Sequence, residues 1–161
     1  KESYGEPIVI APFGAGGLKA KDYTTGDYSS VFTEALRSMK SAGIKPAVFL
    51  WHQGESDNAT SHQDYATTLQ KIINQTLTSF PRSKFGIALA SRCNGAPYTQ
   101  IINAQAQLAR DNKQAFISAD SDKITGEHNR YDGCHFSDKG GMELATQYHQ
   151  SISRNIDLKK R

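Results

Sequence analysis

Four short apolar runs, at residues 8–12, 46–51, 85–90 and 115–119, are separated by stretches in which apolar residues recur every three or four positions. This alternation constrains the fold more than any other feature. A run of four to six β-branched or aromatic residues reads as a buried strand, and the longer periodic stretches read as amphipathic helices. Val31, Phe32, Ala35, Leu36 and Met39 mark a helix from Ser30 to Ser41, which Gly43 ends. Tyr65, Leu69, Ile72, Ile73 and Leu77 mark a second, followed by Pro81. Tyr98, Ile101, Ile102, Gln105, Leu108 and Ala109 mark a third, and a last helix from near Ser137 carries Leu144, Ala145, Tyr148 and Ile152. Strands alternating with helices predict an α/β fold with a parallel sheet covered on both faces. No repeat, low-complexity segment or linker divides residues 1–161, so one domain is expected.

The chemistry-bearing residues fall just after these strands. Gly14, Gly16 and Gly17 follow the first and Trp51-His52-Gln53-Gly54-Glu55-Ser56-Asp57 the second. Arg92-Cys93-Asn94 follows the third, and Asp120 with the loop bearing Asp132 and His135 follows the fourth. In a parallel sheet the carboxyl ends share one edge, where such folds place their ligands. The glycine loop lacks the Gly-Lys-Ser/Thr ending of a phosphate loop and the spacing of a dinucleotide fingerprint. Asp132 and His135 are three residues apart across Gly133, a spacing at which a tight turn brings carboxylate and imidazole together. That pair is a general base with its orienting partner. Read as a plain loop, Asp132 instead caps the following helix. A metal set of His52, His128, Asp132 and His135 is the other alternative, without a His-x-x-x-His pair to anchor it.

The formal charge of +3, with its densest basic run at Lys159-Lys160-Arg161, gives no nucleic-acid patch, and no apolar stretch reaches membrane-spanning length. Two cysteines, Cys93 and Cys134, leave the compartment open, with a secreted or periplasmic setting favoured. Asn58-Ala59-Thr60 and Asn74-Gln75-Thr76 fit the glycosylation pattern, which has meaning only in a secreted eukaryotic protein.

Taken in order, the Gly-Gly turn after an Ile-Val-Ile-Ala strand, Trp-x-Gln-Gly-Glu-x-Asp and Asp-Gly-x-His-Phe-Ser before a final helix resemble the sialate O-acetylesterase-like branch of the SGNH hydrolases. The resemblance runs from about Ile8 to Tyr148. It implies a three-layer sandwich with a flavodoxin-like parallel sheet and a serine-type removal of O-acetyl groups from a carbohydrate, with no metal or other cofactor. His135 is then the base and Asp132 its carboxylate. Gly17 or Gly16 gives a backbone N–H to the oxyanion hole, and the Gln53 amide gives a second donor. Glu55 shapes the loop, and Arg92 meets either substrate or a surface partner. Cys93 and Cys134 either form a disulfide that pins the base loop or remain as thiols.

The family's nucleophile is a serine in a Gly-x-Ser turn after the sheet's first strand, and no such strand and turn open this chain. Ser56 lies inside the Gln-Gly-Glu loop, Ser91 after the third strand and Ser137 at a helix start. In the flavodoxin-like order the absent strand lies between those at 8–12 and 46–51, so its loss leaves two strand edges unpaired, at about 1–3 kcal/mol per buried unsatisfied group. The expectation is a companion N-terminal polypeptide or cleaved fragment that docks there and carries the serine. The rival expectation is a catalytically silent carbohydrate-binding domain.

Overall fold

The computed structural model describes residues 7–157. A 3₁₀ turn at Ala20–Tyr23 leads into α1 (Tyr28–Ser41), followed by β1 (Val48–Trp51), α2 (His62–Ser79), β2 (Lys84–Leu89), α3 (Thr99–Asp111) and β3 (Ala115–Asp120). A second 3₁₀ turn, Ser121–Lys123, and a long loop precede α4 (Asp138–Asn155). The three strands are parallel in the order β1-β2-β3, with Trp51 opposite Ile87 and Phe85 opposite Ala115. No helix among the described residues is long and apolar enough to cross a membrane.

Local sequence explains the elements. Ser61 caps α2 by accepting the Asp64 N–H at 3.1 Å. Behind that cap Tyr65, Leu69, Ile72, Ile73 and Thr76 fall on one buried stripe. Ser137 caps α4 in the same way, through the Gly140 N–H at 3.2 Å.

The two sheet faces are covered unequally. Phe49, Trp51, Phe85 and Ile87 pack into the large core with Tyr65, Leu69, Ile72, Ile101 and Leu108 from α2 and α3, and with Tyr23, Phe32 and Leu36. On the opposite face a smaller cluster of Ala88, Ala90 and Ala119 packs with Leu144 and Tyr148 of α4. Leu50, on that sparse side of the edge strand β1, remains 42% exposed.

The expected first strand at 8–12 does not form. Residues 7–15 pair with no strand, and Val9 and Ile10 are 91% and 82% exposed. The reason is physical: β-branched residues favour an extended backbone, but a strand exists only through a neighbour that takes its N–H and C=O groups. Among the described residues the open edge of β1 is likewise unpaired in the sheet. The sheet among the described residues therefore has three strands, flanked by helices.

Candidate active site

The loop after β1 is built around Tyr65. Its buried hydroxyl donates to the Gln53 carbonyl at 2.8 Å and accepts from Trp51 Nε1 at 3.3 Å. Burial raises its pKa above the ordinary phenol value, so it remains a hydroxyl. Gln105, fully buried on α3, completes the junction. Its amide donates to the carbonyls of Gln53 and Ala90, both at 2.9 Å, and accepts the Ala90 N–H at 2.9 Å. The side-chain amide thus occupies the place of a missing strand rung where the chains leaving β1 and β2 diverge. Gly54 is required here, because a Cβ would lie 1.9 Å from the Ala90 oxygen.

Asp57, 1% exposed, ties this loop to the glycine turn. It accepts the Ala20 N–H at 2.9 Å, the Gln53 amide at 2.6 Å and the Thr60 hydroxyl at 2.7 Å. Gln53 Nε2 also donates to the Leu18 carbonyl at 3.1 Å. Both hydrogens of this expected oxyanion donor are therefore engaged in bracing the loop. The Gly16–Gly17 turn forms, with Gly17 at a φ of +75°, immediately before the braced Leu18.

His52 and Glu55 form a half-buried couple. His52 Nδ1 is 2.9 Å from the Tyr148 hydroxyl, and Nε2 is 3.5 Å from Glu55. Burial pushes the Glu55 carboxyl up, but the hydrogen bond and charge of His52, its own backbone N–H and the charge of Arg130 outweigh this and hold it below the ordinary value. Glu55 is thus an ionised strut inside the loop.

Asp132 and His135 meet. Asp132 Oδ2 lies 2.6 Å from His135 Nδ1, and Oδ1 accepts the backbone N–H groups of Cys134 and His135 at 2.9 and 2.7 Å. The hydrogen bond from the imidazole and those from the two backbone groups lower the Asp132 pKa to about 2. Gly133, at a φ of +78°, makes the turn. The imidazole is largely open, with 68% of the His135 side chain exposed.

Three fasteners hold this loop. Cys93 and Cys134 are joined in a disulfide, and the Asn94 N–H donates to the Gly133 carbonyl at 3.1 Å. Arg130, 4% exposed, donates to the carbonyls of Ile124 and Ser121, both at 2.8 Å, and to that of Cys134. Its guanidinium also lies over the Phe136 ring, 4.1 Å from the centroid. Arg92 is pinned rather than loose, donating through Nε to the Asp122 carbonyl at 3.0 Å and through Nη1 to the Gly95 carbonyl.

Two of the serines named from the sequence, Ser91 and Ser137, are engaged in the frame of the fold. Ser91 is fully buried, and its hydroxyl donates to Asp122 at 2.6 Å. Ser137 caps α4 and donates to the His128 carbonyl. Among the described residues His52, His128, Asp132 and His135 do not gather as a metal-ligand set.

Spacing places Tyr65 and Gln105 on helix faces but gives neither a role at the site, and it does not mark Arg130. The one available signal was polarity in the wrong place: Gln105 sits on an otherwise apolar helix face and Arg130 is an arginine that the fold buries.

No curated protein sequence matches the chain at a significant level. Among solved structures it is similar to a protein from Arabidopsis thaliana, with a TM-score of 0.73 and 16% identity over 88% of this chain and 59% of that one. A carbohydrate esterase family 3 protein from Talaromyces cellulolyticus matches with a TM-score of 0.67 and 15% identity, over 86% and 68% of the two chains. A mutant acetyl esterase with an acetate ion gives the same TM-score of 0.67, with 15% identity and coverage of 86% and 68%. The chain thus spans 59% of the length of the Arabidopsis protein, and these likenesses establish the fold. The family model described as carbohydrate esterase, sialic acid-specific acetylesterase matches residues 1–154, and the chain belongs to that family.

Proposed function

We propose that this chain is the larger, C-terminal part of a serine-type esterase that removes O-acetyl groups from a sialic acid, a xylan or a related sugar. The nucleophile comes from a polypeptide segment outside this chain. The observation that carries the reading is the Asp132–His135 couple, oriented through Nδ1 and exposed on its other side. The incoming serine hydroxyl attacks the acetyl carbonyl while His135 takes its proton. His135 then returns the proton to the leaving sugar oxygen, and water releases acetate by the same route.

Two donors face the developing oxyanion in this reading. One is the backbone N–H of the Gly16–Gly17 turn. The other is Gln53, which exchanges the Leu18 carbonyl for the oxyanion while keeping Asp57. Each donor is worth about 3–4 kcal/mol to such a transition state. The open edge of β1, the exposed apolar residues of 8–10 and the sparse α4 face support the docking of a further strand with its helix, which would bury Leu50.

Native against denaturing mass spectrometry of the protein from its source tests this. A second polypeptide that travels with the chain natively, contains a Gly-x-Ser turn and confers acetate release abolished by His135→Ala supports the esterase. The silent carbohydrate-binding domain has one observation in its favour, the engaged amide of Gln53. Binding of an acetylated sugar with no acetate release in the presence of the companion would establish it instead.

A further inference from the structure

Tyr131 directly precedes the aspartate of the dyad, and its ring stacks on the imidazole of His135. The centroids are 5.9 Å apart and the planes 17° from parallel. Yet 68% of Tyr131 faces solvent. Its backbone is held: the Tyr131 N–H donates to the His135 carbonyl at 3.2 Å, and the flanking Arg130 and Phe136 pair as an antiparallel bridge. Arg130 and the Cys93–Cys134 disulfide fix the frame beneath. The result is an exposed aromatic face on a braced backbone, stacked against the ring that carries the reacting nitrogen.

An exposed tyrosine on a mobile loop would be an ordinary surface residue. A pre-positioned ring offers large apolar contact at low entropic cost, with a hydroxyl at its rim for polar groups. The C–H face of a pyranose, ringed by hydroxyls, is the complementary surface. We propose that Tyr131 is the platform on which the sugar ring of the substrate stacks, selecting pyranose-borne acetyl esters over simple alkyl acetates. This rests on the esterase reading above.

The test compares Tyr131→Ala and Tyr131→Phe with the wild type, each assembled with its companion segment, on acetylated methyl xylopyranoside, O-acetylated sialic acid and ethyl acetate. The expected result for Tyr131→Ala is a rise in KM for at least one sugar ester that exceeds any change with ethyl acetate by about tenfold, the upper end for one aromatic contact. Tyr131→Phe should keep most of the preference. Equal losses on all esters would make Tyr131 a positioning residue for His135, and no change on any would remove it from the site; either overturns the proposal. If the wild type hydrolyses none of them, the esterase reading fails. The platform is then judged on the 161-residue chain by saturation-transfer NMR with methyl xylopyranoside and N-acetylneuraminic acid. Signal lost in Tyr131→Ala and kept in Tyr131→Phe supports it; signal absent from the wild type, or equal in all three, overturns it.

Discussion

Asp132 holds His135 twice, once through the imidazole Nδ1 at 2.6 Å and once through the backbone N–H at 2.7 Å. A carboxylate accepting at Nδ1 requires the proton there and leaves Nε2 to act as the base. Asp132→Asn replaces one acceptor oxygen with a donor and favours the wrong tautomer. In the assembled esterase it should lower kcat by roughly 10³–10⁴ with little change in KM. His135→Ala should cost about 10⁶. Acetate release under saturating substrate measures both, and an Asp132→Asn enzyme with wild-type kcat would detach the dyad from the chemistry.

The lowered pKa of Asp132 has a consequence for stability. Its ordinary value is 3.8 and its folded value about 2. A depressed carboxyl contributes stability above the unfolded pKa and loses it as pH falls through the folded one. The contribution is therefore complete above about pH 4 and gone below about pH 2. Thermal unfolding at pH 5, 3 and 2 should show a steeper fall in Tm for wild type than for Asp132→Asn. Parallel curves would mean that the couple does not form in solution.

The disulfide joins residues 41 apart and fastens the loop after β2 to the loop bearing the base. Constraint of the unfolded chain over that span is worth about 4 kcal/mol in the chain-entropy picture. Replacing both Cys93 and Cys134 by Ser should lower the urea midpoint, and kcat should fall because the Asp132–His135 turn loses a fastener. A reductant should reproduce both effects in the wild type. Full activity alongside two titrated thiols would show that Arg130 and the Asn94–Gly133 hydrogen bond hold the loop unaided.

Gln53 carries two duties in this scheme, and its variants separate them. Gln53→Ala removes the brace to Leu18 and Asp57 together with the proposed oxyanion donor. The loss of kcat should reach about 10²–10³, as for other oxyanion donors. A drop in Tm with unchanged kcat would leave Gln53 as a brace alone.

What the sequence disclosed depended on how local the cause was. The 3.6-residue stripe of Tyr65, Leu69, Ile72 and Ile73 marks α2 because burial and period are properties of one segment. Asp132 and His135 were readable because their contact spans three residues. The apolar run at 8–12 has the composition of a strand but does not form one, since strand formation belongs to a pair of segments and the described chain gives this one no partner. Polarity on an apolar helix face marks Gln105 but not what it binds, because its partners Gln53 and Ala90 lie 52 and 15 residues away. Spacing placed Gln53 at the site but was silent on which acceptors would take its two hydrogens.

The junction between β1 and β2 gives the sharpest test of the fold. Gln105 serves the Ala90 N–H, the Ala90 carbonyl and the Gln53 carbonyl in a fully buried setting. Gln105→Leu fills similar volume but strips partners from these groups, each costing about 1–3 kcal/mol when left unsatisfied. The net loss should be about 3 kcal/mol or more, because Tyr65 still donates to the Gln53 carbonyl. Gly54→Ala attacks the same junction sterically, placing a Cβ 1.9 Å from the Ala90 oxygen, so the backbone must move. Gly95→Ala is the control, since nothing lies within 4 Å of its would-be Cβ. Urea unfolding should rank Gly95→Ala near wild type and the other two far below it. A Gln105→Leu protein as stable as wild type would mean that water or Tyr65 satisfies the diverging strand ends, and that the side-chain rung is dispensable.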